Sequence, residues 1–518
     1  MKRSTKKGFT IVELVIVIAV IAILAAVLIP TFSSLIKRAN LSADMQAVRT
    51  INLALQTAEA KNGKPANADQ AMLIIADAGY DVATYHPLTK GYEIYWVDTV
   101  NRVILYSTTD TEVVYPDDYV ELTNDGSWHT LNESYKDAMD YDFEASPDVD
   151  VKTEGEDKVY EIKTEDAEKA GSALYAIFVQ QEEKKIEKDI KIELPKEVDV
   201  EQYIWKPVRE FTGDLIGAEG GTTISGVTLD ESVSFSQSAT FAGSGSSVAN
   251  ASKYNVYGFI DMVCGTATIK DITFEDFNLI APGSDFNNTG VSSNANVIAP
   301  IGCIYPGANK ETANVTIENV HVKNGTIEGL GRVGGLVGYI GGPGQEENNM
   351  LTGSVTIKNC TVDNVTMKAG LGTSPAYGTV GGLISYIVRS NNLAVTVDNC
   401  SVTNCTMEGQ AAAAGVVGWF NPDPDNADDA KKSSFTLNVV DLTLTGNTMK
   451  KVGTVTSVGG GESATNRVDA GLIAGGNCDY KNLVTVTFKA QSDNTVTSVV
   501  ESKVDTTARM YTDNTPAA

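Results

Sequence analysis

Asp271-Ile272-Thr273-Phe274, Asn319-Val320-His321-Val322, Asn359-Cys360-Thr361-Val362, Asn399-Cys400-Ser401-Val402 and Asp441-Leu442-Thr443-Leu444 align without gaps. Each is an Asn or Asp followed by apolar, polar and apolar residues, and the starts lie 48, 40, 40 and 42 residues apart. Gly226-Val227-Thr228-Leu229 reads as an earlier copy, 45 residues before the first. A second element recurs between them: Gly335-Leu336-Val337-Gly338-Tyr339, Gly382-Leu383-Ile384-Ser385-Tyr386, Gly415-Val416-Val417-Gly418-Trp419 and, more loosely, Gly471-Leu472-Ile473-Ala474. Gly258-Phe259-Ile260 is an imperfect earlier relative. Self-similarity at a period of this size marks a stacked architecture, because one repeat is too short to bury a core alone.

Alternation with period two predicts strands and not helix pairs. The expected fold is an all-β parallel β-helix, with inward Val, Ile, Leu and Cys in columns, Asn or Asp ladders at a fixed turn, and glycines at tight corners. Forty residues exceed one turn of such a coil, so each repeat carries an insertion or more than one turn. Gly341–Gly353, Gly370–Gly378, Asn421–Lys432 and Thr454–Arg467 are the candidate insertions.

Composition agrees. The chain has 518 residues, 46 Gly against 15 Pro, 42% apolar and 20% charged residues, and a net charge of 40 − 66 = −26. The length suggests two to four units. The acidic balance argues against nucleic-acid binding, which needs cations to displace counterions. Three His and six Cys without a CxxC pair offer little for zinc or a dithiol centre, so no cofactor is expected.

Upstream of the repeats, Glu133–Glu168 is rich in Asp and Glu, and 133–163 reads as an acidic, solvated linker with no calcium-loop spacing. Thr164-Glu165-Asp166-Ala167 opens a helix to about Gln181, with Ala170, Leu174, Ile177 and Phe178 on one face. Such a helix suits a cap on an open sheet end, so 164–510 is assigned to the β-helix with its N-terminal cap and 511–518 to a tail.

The first sixty residues have another character. Lys2, Arg3, Lys6 and Lys7 precede an apolar run from Phe9 to Ile29 in which Glu13 is the lone charge. Twenty-one helical residues reach roughly 30 Å, enough for a bilayer core. The cations orient the N-terminus to the cytoplasm, and Lys37 and Arg38 oppose them with fewer charges. A secretory signal would need a small-x-small cleavage site, and Ala19, Ala22, Ala25 and Ala26 never stand two apart. A plain anchor leaves Glu13 unexplained, since an acid at membrane depth costs a few kcal/mol, about 2.5–3.5 on insertion scales.

Gly8-Phe9-Thr10-Ile11-Val12-Glu13-Leu14 resembles the processing motif of type IV pilins and pseudopilins. The resemblance implies that a prepilin peptidase cuts between Gly8 and Phe9 and N-methylates Phe9, that Glu13 becomes the fifth mature residue, and that Pro30 is the proline where pilin helices bend or melt. Cleavage leaves an α-amine four residues from Glu13, on one helix face. Within lipid the two charges are far cheaper paired than apart, so Glu13 is expected to meet the amine of a neighbouring subunit.

The domain reading is a leader 1–8, a long helix 9–62 that is transmembrane over 9–30, and a pilin-like head 63–132. Met45, Val48, Ile51 or Asn52, Leu55 and Ala58 give the helix an apolar stripe, and Lys61-Asn62-Gly63 ends it. Gly91–Val97 and Arg102–Tyr106 read as a hairpin around Asp98–Asn101, and Asp125-Gly126-Ser127-Trp128 closes the head. The fold class is thus an α+β pilin-like part with a small antiparallel sheet, followed by the β-helix.

The repeats also resemble Gly-Leu-rich repeat β-helices of bacterial surface proteins. Trp205-Lys206-Pro207, Phe211-Thr212-Gly213 and Thr223–Leu229 look like their opening turn, and the Gly-Gly-Leu-Val-Gly and Asn-Cys-x-Val units like their body. That resemblance implies a surface or adhesive module. Cys360 and Cys400 hold equivalent positions and Cys405 aligns with Val365, which favours buried thiols, with a disulfide between neighbouring turns as the alternative. His321 is solitary and outward. Asn421–Asp429 is the densest acid group and reads as an exposed insertion, with Ca²⁺ binding as the alternative. No nucleophile elbow, phosphate loop or metal-spaced His pair appears, so catalytic residues and metal ligands are expected to be absent.

The expected function is a minor or tip pilus subunit, single-pass and largely extracytoplasmic, that presents the β-helix for adhesion to a glycan or protein. Prepilin peptidase, other pilins and the membrane are its expected partners. A pseudopilin of a secretion or DNA-uptake machine is the near alternative. A tethered polysaccharide-active enzyme is the distant one.

Overall fold

The computed structural model describes residues 36–498 apart from 61–63, 66–70, 72–73, 76–86, 98, 124–127, 131–132, 156, 183–184, 188, 202, 204, 206–207, 209–210, 230–237, 240–253, 281–295, 306–311, 342–349, 371–377, 389, 422–434, 454–469 and 477–483. The chain divides into two units, 1–133 and 134–518.

In the first unit a helix, α1, runs over 36–60. Val48, Ile51 and Leu55, three and four residues apart, are fully buried, as the periodicity predicts. Asp44 breaks the apolar logic of that stripe. It too is fully buried, and its carboxylate accepts the backbone N–H groups of Leu88 and Thr89 at 2.7 and 2.9 Å, which is how a buried acid is satisfied without a cation.

Four antiparallel strands follow: β1 (Tyr92–Val97), β2 (Arg102–Ser107), β3 (Glu112–Tyr115) and β4 (Trp128–Thr130), in the order β3-β2-β1-β4. Asn101 adopts φ +57° and donates its N–H to Val97 at 2.7 Å, closing the β1–β2 hairpin. Asn52 of α1 joins helix to sheet. Its amide donates to the Val103 carbonyl at 2.8 Å and accepts the Val103 N–H at 2.7 Å.

The second unit begins with a correction. The acidic stretch 133–163 is folded and is no linker: it forms α2 (Glu133–Asp140) and an antiparallel hairpin of β5 (Val149–Glu154) and β6 (Asp157–Ile162), which joins the large sheet. A few apolar anchors hold it (Ala138, Phe143, Val149, Val159, Tyr160 and Ile162, all buried). Its charges neutralise one another at the surface, with Lys152 on Glu161, Lys163 on Asp150 at 3.3 Å and Lys191 on Glu154 at 3.5 Å. High charge density thus concealed a sparse core.

The helix expected from Thr164–Gln181 is present as α3 (Ala167–Glu182). Asp166 is its N-cap, accepting the N–H of Lys169 at 3.3 Å. Burial extends beyond one face, because every residue from Ala173 to Gln181 is buried. Trp205 packs on the helix at Phe178, 5.4 Å between centroids, and stacks on Phe259 at 4.4 Å while donating its indole N–H to the Phe259 carbonyl at 2.9 Å. Gln180 donates to the carbonyls of Ala138 and Tyr141 at 2.8 and 3.0 Å, tying α3 to the segment around α2.

Strands β7 (Ile190–Glu193), β8 (Glu197–Asp199), β9 (Asp214–Ile216), β10 (Thr222–Ser225) and β11 (Thr228–Leu229) then lead into the repeats. The repeats build a mostly parallel region of three sheets with 19, 7 and 5 strands. Val315, Val355, Val395 and Leu437 are successive partners in one column, so each repeat pairs in register with the next. The 17-residue strand Ala313–Gly329 shows why the large sheet bends. Inward residues alternate along it, and Asn319 and Asn324 stand at φ +58° and +57°.

Each repeat has two such left-handed corners five residues apart: Asp271 and Asp276, Asn319 and Asn324, Asn359 and Asn364, Asn399 and Asn404, Asp441 and Gly446. Asn and Asp tolerate this conformation best among side-chain-bearing residues. Register corrects the earliest copy. Thr222 pairs with Ile272 and Thr228 with Asn278, so Gly226 (φ +78°) matches Asp276, and Gly221 (φ +98°) matches Asp271. Gly226–Leu229 is a second corner, displaced by five residues from the alignment read from sequence. Ala299-Pro300-Ile301-Gly302-Cys303 is a copy of the Gly-Leu element that begins with alanine in place of glycine, placed by the pairing of Ile301 with Ile260 and Val337.

Candidate functional site

Gly8, Phe9, Glu13 and Pro30 lie outside the described residues, as does the expected span 9–30. Among the described residues no helix is long and apolar enough to cross a membrane. The four expected insertions fall largely outside them as well. Flanking residues place where they leave the body. The chain departs at Gly341 and Asn421 from the 5-stranded sheet, and at Gly370 and Gly453 after the last strands of the 19-stranded sheet.

The outer face of the large sheet is a set of columns. Acid and base alternate along them and pair between repeats: Lys270 with Glu318 at 3.4 Å, Lys323 with Glu275 at 2.9 Å, Lys368 with Glu328 at 2.6 Å and Lys450 with Glu408 at 3.4 Å. Exposed pairs contribute little stability, but alternation along a column penalises any pairing that skips a repeat, since like charges would then meet. Asn corners ladder in the same direction, with Asn319 on Asp271 at 2.8 Å, Asn399 on Asn359 at 2.9 Å and Asn364 on Asn324 at 2.9 Å.

His321 stands in a column with Thr273, Thr361, Ser401 and Thr443. Half-buried, its ring Nδ1 shares a 2.8 Å hydrogen bond with the Thr361 hydroxyl. Burial, then Lys323, lowers its pKa, and Asp271 opposes them. A histidine whose folded pKa lies below its unfolded value of about 6.5 stabilises least when protonated. Stability is therefore expected to fall as pH drops from 7 through 6.5 and below, and His321→Thr should flatten that part of the profile of unfolding midpoint against pH.

All five described cysteines (Cys264, Cys303, Cys360, Cys400 and Cys405) are buried free thiols. Burial pushes the Cys303 and Cys360 thiols up and that of Cys405 to about 12, the opposite of an activated nucleophile. Three of them face a carbonyl of the preceding repeat at 3.5 Å: Cys360 on Ile317, Cys400 on Ile357 and Cys405 on Val362. Among the described residues no group of three or more His, Cys, Asp or Glu could hold a metal ion.

Sequence reading singled out the Gly-Leu element but not its aromatic members as a unit. Tyr339, Tyr386 and Trp419 are successive partners in the 5-stranded sheet. Ring centroids lie 5.6 Å apart for the first pair and 4.8 Å for the second, and the Arg332 guanidinium sits 4.2 Å from the Tyr386 centroid and 5.6 Å from that of Tyr339. The available signal was an aromatic at the fifth place of three successive Gly-Leu copies.

Comparison with known proteins concerns the N-terminus. Residues 3–29 match the family described as the prokaryotic N-terminal methylation motif. The chain is similar to a type IV major fimbrial protein FimA of Dichelobacter nodosus, 41% identical over 64 residues, which is 12% of this chain and 41% of that protein. It is also similar to the type IV wide pilus major component PilA4 of Thermus thermophilus, 71% identical over 34 residues, 7% of this chain and 26% of that protein. The chain thus spans less than half the length of these relatives. No solved structure matches it. With a methylation motif at residues 3–29, a helix over 36–60 and a small antiparallel sheet, the protein is type IV pilin-like in its N-terminal region.

Proposed function

We propose that the protein is a minor or tip subunit of a type IV pilus whose C-terminal unit, a parallel β-helix, is presented for adhesion. The observation that carries this reading is the methylation motif over 3–29 on a chain whose second unit spans 134–518. Prepilin peptidase cuts between Gly8 and Phe9, the helix from Phe9 to Pro30 holds the subunit in the membrane, and Glu13 pairs with the α-amine of a neighbour to set axial register. Bulk supports minor status, since a module of this size at every step would crowd a densely packed fibre. After processing the protein resides on the pilus or cell surface, with its N-terminal helix among other pilins.

The in-register parallel repeats support a β-helix, and a rigid array with insertions leaving two of its edges suits surface display. No sequence motif or described metal cluster supports an enzyme. A pseudopilin role remains the second reading, because the same N-terminal motif serves both machines.

Glu13→Ala is expected to leave membrane insertion intact and to reduce the protein's recovery in sheared filaments at least tenfold by immunoblot; undiminished incorporation would refute the register role. Deletion of the gene should reduce surface binding while fibres persist. Exported proteins trapped by the deletion would favour the secretion reading, and glycan depolymerisation by the purified protein the enzymatic one.

A further inference from the structure

The large sheet ends on two strands, Val484–Ser492 and Thr495–Ser498, which among the described residues pair on one side alone, with Phe435–Thr445 and Thr448–Lys451. Their inner side chains are only partly covered. Val486, Phe488, Asn494 and Val496 are half-buried, whereas Val439, Leu442, Asn447 and Met449, their counterparts one repeat earlier, are at most 1% exposed. An edge of this kind is a template for one more strand.

The second corner shows what that strand must carry. Asn447 donates to the Val402 carbonyl at 2.7 Å and accepts the Cys405 N–H at 3.0 Å. Asn494 does the same one repeat on, donating to the Leu444 carbonyl at 3.0 Å and accepting the Asn447 N–H at 3.2 Å. Each asparagine thus serves the main chain of the corner before it. The last corner is interrupted in its turn, between Val484–Ser492 and Thr495–Ser498. The next step therefore calls for a side-chain amide opposite the Gln491 carbonyl and the Asn494 N–H.

The sequence supplies one. Asn404-Cys405-Thr406, Gly446-Asn447-Thr448 and Asp493-Asn494-Thr495 share a signature: a left-handed Asp, Asn or Gly, an inward residue, then an outward Thr. Asp513-Asn514-Thr515 repeats it twenty residues after Asp493, and Thr512 stands where the others have Thr403, Thr445 and Ser492. Twelve residues, 499–510, join this segment to Ser498. They can reach roughly 40 Å, and the way back from Ser498 to Gln491 is about 23 Å. Pro516 falls opposite Val496, and a proline, with no N–H to give, suits an outermost strand.

We propose that residues 511–515 dock on this edge of the same molecule, parallel and in register, with the Asn514 amide donating to the Gln491 carbonyl and accepting the Asn494 N–H. The segment closes the stack, and Pro516 discourages a further strand from adding to it. A strand from a second molecule would have no need of this signature within reach of Ser498. The inference is independent of the adhesive reading.

The test uses full-length Thr495→Cys/Thr515→Cys protein in detergent. These positions extend the outward column of Thr406 and Thr448, so docking sets their Cα atoms about 4.8 Å apart, within disulfide reach. Thr495 and Thr497 are exposed, so changing either leaves the core alone. Oxidation with diamide should form an intramolecular 495–515 bond, identified by peptide mapping, at least tenfold faster than the bond in the out-of-register pair Thr497→Cys/Thr515→Cys. Adding Asn514→Leu to the first pair should slow its bond at least threefold. Equal rates for the two pairs, bonds between molecules only, no bond at all, or a rate indifferent to Asn514→Leu would each overturn the docking.

Discussion

Phe277→Ala and Gly325→Val are each expected to destabilise the second unit, and the double variant to be more stable than the sum of their losses allows. The two positions are neighbours in one inward column: Asn278 pairs with Thr326, so Phe277 lies over Gly325, and Gly325 pairs in turn with Val365. Phe277 is 4% exposed, and a Cβ at Gly325 would stand 2.4 Å from its ring. The ring therefore fills the volume that a side chain at 325 would take. Removing the ring leaves a cavity and costs about 3–5 kcal/mol; adding valine against it overpacks and costs about 1–3 kcal/mol. Together the changes put a valine into the space the ring vacates, on a backbone that already accepts valine at the equivalent position 365. A coupling of about 1–3 kcal/mol in a double-mutant cycle by chemical denaturation is the expected result. Strict additivity would show that the two sites do not share that space.

How much of this was legible beforehand follows from what each signal measures. Alternation and period report which side chains face inward, so the columns through Val362, Val402 and Leu444 and the burial of Cys360, Cys400 and Cys405 could be read from the repeats. The second corner was missed although Asn324, Asn364 and Asn404 stand in plain view, because it becomes evident only when φ and register are known. Its absence from the reading is what shifted Gly226–Leu229 by five residues. The segment 133–163 was misjudged for a different reason. Net charge describes solvation of the outer face and is silent about whether Val149, Val159 and Ile162 suffice to hold an inner one. Asp44 and Asn52 were invisible as anchors, since a buried polar side chain has no periodic signature; its partners are backbone groups some forty to fifty residues away. The aromatic column shows the same limit from the other side. Tyr339, Tyr386 and Trp419 are legible as members of a repeat, but the approach of Arg332 to the two tyrosines depends on two sheets facing each other.

The inner column at the second corner supports a further prediction. It runs Phe277, Gly325, Val365, Cys405, Asn447 and Asn494, changing from apolar to polar along the repeats. The change follows the backbone. Strand Ala313–Gly329 passes through its corner unbroken, so its ladder satisfies the main chain there and Val365, one repeat on, suffices. Two repeats after that strand, the equivalent one is interrupted between Ser401–Thr403 and Thr406–Gly409, which leaves main-chain groups facing the interior. Asn447, 1% exposed, takes them up. It donates to the Val402 carbonyl at 2.7 Å and accepts the Cys405 N–H at 3.0 Å, while Asn494 receives a second bond from its amide at 3.0 Å. Asn494 repeats the arrangement one step on, donating to Leu444 at 3.0 Å. Cys405 makes the weaker version with its thiol on Val362. Asn447→Leu keeps the volume but orphans a buried carbonyl and a buried N–H, at about 1–3 kcal/mol each, so a loss of about 2–5 kcal/mol is expected by denaturant unfolding. Asn447→Cys should lose less, because a thiol can still reach the Val402 carbonyl as that of Cys405 reaches Val362. If leucine proved as stable as asparagine, or cysteine no better than leucine, hydrogen bonding would not be what selects polar residues at this corner, and the change from valine to asparagine along the column would need another cause.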